Sequence, residues 1–181
     1  MPTPWTLQSI PGLYRVGNPQ FSDSRGTFNK ILAMQPEDQA PFLCDQVYWS
    51  QSRPRVARGM HLQLPPHDGR KLVFVTSGRI HDFVIDLRIG SPTFHNVWSD
   101  ELTPVSMGVF IPAGCAHGFV TLEGDASVVY VQEGDHHVDS DGGVNMSELE
   151  LGYDINTLTF SERDRALPML GEFTSPFIFE Q

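Results

Sequence analysis

Apolar residues along this chain come in short runs cut by glycine, proline, asparagine, aspartate and serine, and no stretch of about fifteen residues keeps a helical repeat without a breaker. Runs rich in Val, Ile, Phe and Tyr predict strands over Gln46–Ser50, Met60–Gln63, Lys71–Thr76, Ile80–Leu87, Met107–Ile111, Gly118–Leu122 and Ala126–Gln132. Ser77-Gly78 and the stretch from Arg88 to Pro92 supply turn chemistry between them. Closely spaced short strands with Gly and Pro turns predict an all-β chain folded as a sandwich or jelly roll. Strand alternation sets partners on each face. If His61 points inward so does Gln63, while Met60 and Leu62 pack behind; His117 goes with Phe119, and Tyr130 with Val128 and Gln132. Near the end, Ser161-Glu162-Arg163-Asp164 reads as a helix N-cap followed by an acidic third position, so a short helix is expected there.

At 181 residues with 40% hydrophobic content, the chain fits a single domain spanning 1–181 with a sizeable core. Twelve basic against twenty-two acidic residues give a net charge of −10, which opposes binding to nucleic acid or an anionic membrane surface. An anionic ligand would therefore need a locally basic pocket. Met1–Ile10 has neither a basic start nor an unbroken apolar run, and no stretch approaches a membrane span, so a cytoplasmic protein is expected. Cys44 and Cys115 are too few for a disulfide framework and have no CxxC pairing for zinc.

The most informative motif is Arg58-Gly59-Met60-His61, followed by Leu62-Gln63; Ala116-His117-Gly118-Phe119 comes later, just behind Ile111-Pro112-Ala113-Gly114. Two histidines on separate extended segments, each beside a glycine that lets backbone approach a ligand, point to a polar pocket inside a β-barrel. A metal-binding jelly roll usually wants His-x-His, then a glutamate, then a distant histidine. Here Gln63 stands in place of the second histidine and Lys71 falls near the glutamate's place, which argues against a metal.

These motifs, together with Asp23-Ser24-Arg25-Gly26, Gln46 with Ser50 and Ser52, Pro65-Pro66, Lys71-Leu72-Val73, Asp86-Leu87-Arg88 with Ser91-Pro92, and Tyr130, resemble the dTDP-4-dehydrorhamnose 3,5-epimerase family of the cupin superfamily. The resemblance runs from Phe21 to about Leu167. It implies a cupin-type jelly roll, a cofactor-independent epimerase of a nucleoside-diphosphate 4-keto sugar in deoxysugar or polysaccharide biosynthesis, and a homodimer. By matching position it implies catalytic roles for His61 (base), Asp164 (its orienting partner), Lys71 and Tyr130 (acid), and substrate-binding roles for Phe21, Arg25, Gln46, Arg58, Gln63 and His117.

The chemistry suits those residue types. Inverting a carbon beside a ketone removes a weakly acidic C–H proton and returns one to the opposite face. Imidazole titrates near neutrality, and a carboxylate on its far nitrogen fixes the tautomer. A lysine beside the ketone oxygen stabilises the enolate, and a phenol can supply the returning proton. Arginine forks such as Arg25 and Arg58 suit a diphosphate. The ketone is itself the electron sink, so no cofactor is required. Each residue also has a structural alternative: His117 bonded to backbone, Lys71 on an exposed edge, Tyr130 simply packed, Asp164 closing a capping box. His136-His137 read as a solvated loop. The chain departs from the family at Gln46-Val47-Tyr48, at Thr27-Phe28-Asn29-Lys30 and at Asp135-His136, positions that bear on nucleotide and sugar recognition. Competing functions are a non-catalytic sugar-nucleotide binder, a ketoisomerase, and a metal-dependent cupin.

Overall fold

Val, Ile and Phe at alternate positions give each run a face to bury, and the runs satisfy their backbone groups by pairing into sheets. A computed structural model of the protein describes residues 5–17, 20–30, 41–106 and 108–180. In chain order its strands are β1 (Trp5–Leu7), β2 (Tyr14–Val16), β3 (Gln20–Asp23), β4 (Gly26–Asn29), β5 (Gln46–Ser52), β6 (Ala57–Gln63), β7 (Lys71–Ser77), β8 (Ile80–Asp86), β9 (Val97–Leu102), β10 (Gly108–Ile111), β11 (Cys115–Thr121), β12 (Ala126–Gln132) and β13 (Asp141–Gly143). One sheet has the order β1-β2-β10-β7-β12-β5, and the other β13-β6-β11-β8-β9. The hairpin β3-β4 pairs with neither.

The inner faces meet in a core that includes Val73, Val75, Val109 and Val128 from the first sheet and Ile80, Val84 and Phe119 from the second. The outer face of the second sheet is also covered. Met60, Leu62, Phe83, Ile85, Ala116 and Val120 pack there against Met146, Leu158 and Phe177 of the C-terminal segment. That segment carries turns of 3₁₀-helix at Val138–Ser140, Met146–Glu148 and Ile155–Thr157, then the one-turn helix α1 (Glu162–Arg165). The fold is thus the jelly-roll type with short helical turns near the C-terminus, as the sequence pattern predicts.

Seven of these strands coincide with predicted ones, although β6 begins already at Ala57 and β11 at Cys115. Met107, the expected start of β10, lies outside the described residues. The strands without an apolar signature are β3 and β4, nearly all of whose residues are exposed, charged β9 at a sheet edge, and Asp141-Gly142-Gly143 in β13. The short strands β1 and β2 extend the first sheet at its other edge. Among the described residues no helix is long and apolar enough to cross a membrane.

Candidate active site

The two histidine motifs lie side by side. On the antiparallel pair β6-β11, His61 stands directly opposite His117 and Arg58 opposite Phe119. Gly59 and Met60 therefore face Gly118 alone, a β-bulge that turns Arg58 and His61 to the same side although they are three positions apart. Glycine is required on both strands for steric reasons. Gly59 has φ +118°, and a Cβ there would sit 2.5 Å from the Gly118 Cα and 2.7 Å from the His117 carbonyl oxygen. A Cβ on Gly118 would sit 2.6 Å from the Arg58 carbonyl oxygen. The expectation that these glycines admit a ligand to the backbone is corrected: they admit one strand to the other.

The side chains so aimed enter a cavity of about 790 Å³ between the sheets. His61, Gln63, His117 and Phe119 line it from the second sheet; Gln46, Tyr48, Ser50, Lys71, Tyr130 and Gln132 line it from the first. Arg58 and Arg163 stand on its wall with Asp45, Asp135, His136 and Asp141. The base and acid expected from the sequence thus share one cavity and project from opposite sheets.

Asp164 stands behind His61, its Oδ1 2.6 Å from His61 Nε2. The competition between a capping and an orienting role resolves by atoms. The backbone N–H of Asp164 donates to Ser161 Oγ at 3.0 Å, which caps α1, and its side chain is left for the imidazole. Burial alone would raise the Asp164 carboxyl, but the bond to His61 and its charge, the Ser161 hydroxyl and the Gly59 N–H hold it below the usual carboxylate range. An ionised Asp164 accepts from Nε2–H and leaves Nδ1 with the lone pair.

Lys71 is 9% exposed. Burial lowers its ammonium to about 8, with Asp141 opposing part of that. Tyr130 is pushed well above its ordinary value, mainly by burial, so its phenol keeps its proton at neutral pH. Its ring stacks on Tyr48 at 4.8 Å, and the Tyr48 hydroxyl donates to Gln132 Oε1 at 2.8 Å. Arg58 Nε donates to Ser52 Oγ at 2.8 Å. Gln46 Nε2 donates to Asp135 Oδ1 at 3.1 Å, and Gln63 Oε1 accepts from the His137 N–H at 2.8 Å.

Two expected residues stand apart. Phe21 and Arg25 lie on the β3-β4 hairpin, outside the cavity of their own chain, with Arg25 folded onto Asp23 at 2.6 Å. Other residues escaped sequence reasoning. Asp82, fully buried, holds His117 Nε2 at 2.7 Å, so His61 and His117 of the cavity are each backed by an aspartate. Asp82 was detectable in principle, because a carboxylate between Ile80 and Val84 on an inward face needs a partner. Arg163 forms an ion pair with Asp141 at the cavity wall. The loop read as solvated places Asp135 and His136 on the rim, while His137 stacks on His67. Among the described residues no three His, Cys, Asp or Glu side chains gather as a metal site would require.

Known proteins resemble this chain over most of its length. The profile of a family described as dTDP-4-dehydrorhamnose 3,5-epimerase matches residues 7–172. A dTDP-4-dehydrorhamnose 3,5-epimerase of Streptomyces griseus is 33% identical over 172 residues, covering 91% of this chain and 85% of that one. A dTDP-4-dehydrorhamnose 3-epimerase of Streptomyces niveus is 31% identical over 169 residues, covering 90% and 82%. The crystal structure of dTDP-4-dehydrorhamnose 3,5-epimerase from Sulfolobus tokodaii superposes with a TM-score of 0.85 at 30% identity, covering 99% of this chain and 100% of the other. With its model matched over most of the chain, the dTDP-4-dehydrorhamnose 3,5-epimerase family is the one to which this protein belongs, and the chain is an epimerase.

Proposed function

We propose that the cavity binds a nucleoside-diphosphate 4-keto-6-deoxy sugar and inverts C3, C5 or both through an enolate. The observation that carries this reading is the placement of His61 and Tyr130 on facing sheets of one cavity, with Lys71 beside them. His61 Nδ1 takes the proton alpha to the ketone, and Asp164 stabilises the imidazolium so formed. The electron pair moves onto the ketone oxygen, where the Lys71 ammonium balances it. Tyr130 returns a proton to the opposite face of the planar enolate, and the centre is inverted. Gln46, Gln63 and His117 hold the sugar, and Arg58 grips the diphosphate with its fork.

The same reading includes a homodimer. Phe21, Phe28, Leu43, Val47 and Trp49 are large apolar side chains exposed on the single chain, and the β3-β4 hairpin stands apart from both sheets. A second copy seated there would cover them, and the substrate contacts of Phe21 and Arg25 are assigned across that interface. The unpaired cysteines, Cys44 and Cys115, fit the reducing cytoplasm.

Incubation of the protein with dTDP-, CDP- and GDP-linked 4-keto-6-deoxy sugars in D₂O tests the reading. Deuterium entering C3 or C5 with inversion supports it, and the number of deuterons counts the carbons inverted. Binding without exchange would overturn it in favour of a non-catalytic binder, and a carbonyl that moves would identify a ketoisomerase.

A further inference from the structure

The inward face of the second sheet carries a polar row across an otherwise apolar interior. His61 on β6 faces His117 on β11, His117 holds Asp82 on β8, and Asp82 is the direct strand partner of Asp100 on β9. Cross-strand partners point to the same face, so the row runs from the cavity to the β9 edge. Asp82 is fully buried, between Ile80 and Val84 of the inner core. One of its carboxylate oxygens is bonded to His117 Nε2, and the other, Oδ2, is buried with no protein partner.

Arg15 enters that core from the other sheet. It lies on β2 opposite Val109, whose side chain is in the inner core, and it alternates with Leu13, which is there too. Arg15 is 9% exposed, its Nε reaches Asp100 Oδ2 at 3.5 Å, and its Nη1 is buried with no protein partner. A buried guanidinium needs anions nearby, and the exposed half of Asp100 leaves that requirement only partly met. Burial lowers Arg15 from its ordinary value, and Asp100 and then Asp82 oppose that loss. Arg15 therefore sits within the electrostatic reach of the carboxylate that orients His117.

We propose that Arg15 is a positioning residue for the active site: its buried charge faces the Asp82 carboxylate from behind, and through the Asp82–His117 bond it fixes which nitrogen of His117 carries the proton in the cavity. The pair has other charged or titratable neighbours. Asp100 lies at the far end, His81 on the opposite face of β8, and Tyr130, Lys71, Arg58 and His61 at the cavity end. Of these, Arg15 is the cation that approaches from the side remote from substrate, so its charge is constant while the cavity fills and empties. The kinetic consequence rests on the epimerase reading; the electrostatic one does not.

The test is an NMR titration of the His117 imidazole in substrate-free protein. Removing the charge with Arg15→Met lets the His117–Asp82 pair accept a proton more readily, and its titration midpoint moves up by about one pH unit. Arg15→Lys, which keeps the charge, restores the wild-type midpoint. Arg15→Gln removes the charge while keeping a polar end, and it moves the midpoint up as Arg15→Met does. If Arg15→Met does not fold, the Arg15→Gln titration decides. An unmoved midpoint in folded Arg15→Met or Arg15→Gln overturns the proposal and leaves Arg15 as a partner of Asp100 only. These shifts are read without turnover, so they stand or fall separately from the assignment of the reaction; in an active epimerase the pH profile of kcat follows them.

Discussion

Replacing Lys71 with methionine separates what the site costs the fold from what it gives to the reaction. Lys71 is nearly buried, and burial lowers its ammonium from 10.5 to about 8. At ~1.36 kcal/mol per pH unit, that depression is a penalty of about 3 kcal/mol carried by the folded state at pH 7, where folded and unfolded chains are both protonated. Between pH 8 and 10.5 the folded protein has released the proton while the unfolded chain still holds it. The unfolded state then binds more protons, so stability rises with pH through that window and the penalty is gone above it. Methionine fills similar space without a charge. Lys71→Met is therefore expected to be more stable than wild type by up to about 3 kcal/mol at pH 7, or ~6–12 °C in Tm. That advantage should shrink above pH 8 and vanish near 10.5. On the proposed mechanism turnover should fall by about 10² to 10³, because the enolate would lose its cation. Urea unfolding at both pH values, run beside deuterium exchange, measures the two effects. A variant no more stable than wild type at pH 7, or equally advantaged at the high pH, would refute the claim that a charged, desolvated lysine is held at the site.

In the wild type the same ammonium predicts an alkaline limb near pH 8 in the kcat profile, absent from the residual activity of Lys71→Met; a limb at the same place in the variant would assign it to another group. Asp164→Asn removes the anion behind His61 and should cut solvent exchange about 10²- to 10⁴-fold with little change in cavity shape; wild-type exchange would remove Asp164 from the reaction. Tyr130→Phe leaves the base in place, so deuterium should still enter the substrate from the His61 side while the inverted product disappears, a split that NMR of the recovered sugar reads directly. Gly59→Ala forces a Cβ into the Gly118 backbone at a positive φ and should destabilise by at least about 2 kcal/mol, visible in thermal unfolding; an unchanged Tm would mean that β6 and β11 can separate without harm.

How much of this was legible in the sequence depended on the range of the contact. Strand alternation placed Gln63 beside His61 and Gln132 beside Tyr130, because a two-residue period is local. The helix at Ser161 was legible for the same reason: a cap and its amide are three residues apart. Arg58 was not placed by alternation, since a strict period puts it on the face opposite His61. The bulge at Gly59-Met60 reverses it, and that bulge exists only when β11 lies alongside. Asp164 and His61 are 103 positions apart in the chain, and their meeting depends on the C-terminal segment covering the outer face of the second sheet. The motif resemblance identified the residue; only the packing of Leu158, Phe177 and their neighbours explains why it arrives there. Phe21 and Arg25 show the converse, a motif whose residues do not reach the cavity of the chain that carries them.

The layered fold also explains why the chemistry divides as it does. Inversion demands groups on both faces of a planar enolate, which no single sheet face can provide, because side chains on one face all project the same way. A sandwich with a cavity between its sheets supplies two opposed walls. The wall built by β6 and β11 carries the histidines, each with its far nitrogen tied to an aspartate. The wall built by β7 and β12 carries the proton-bearing groups, Lys71 and Tyr130, two strands that are direct neighbours in register. Gln132, not Tyr130, is the strand partner of Lys71, so the ammonium and the phenol are displaced along the strands and do not stand opposite each other. The cation can then lie over the carbonyl oxygen while the phenol lies over the adjacent carbon. Shifting β12 by one residue against β7 would turn Tyr130 out of the cavity altogether, so the register of this one strand pair sets whether the proposed acid reaches the substrate.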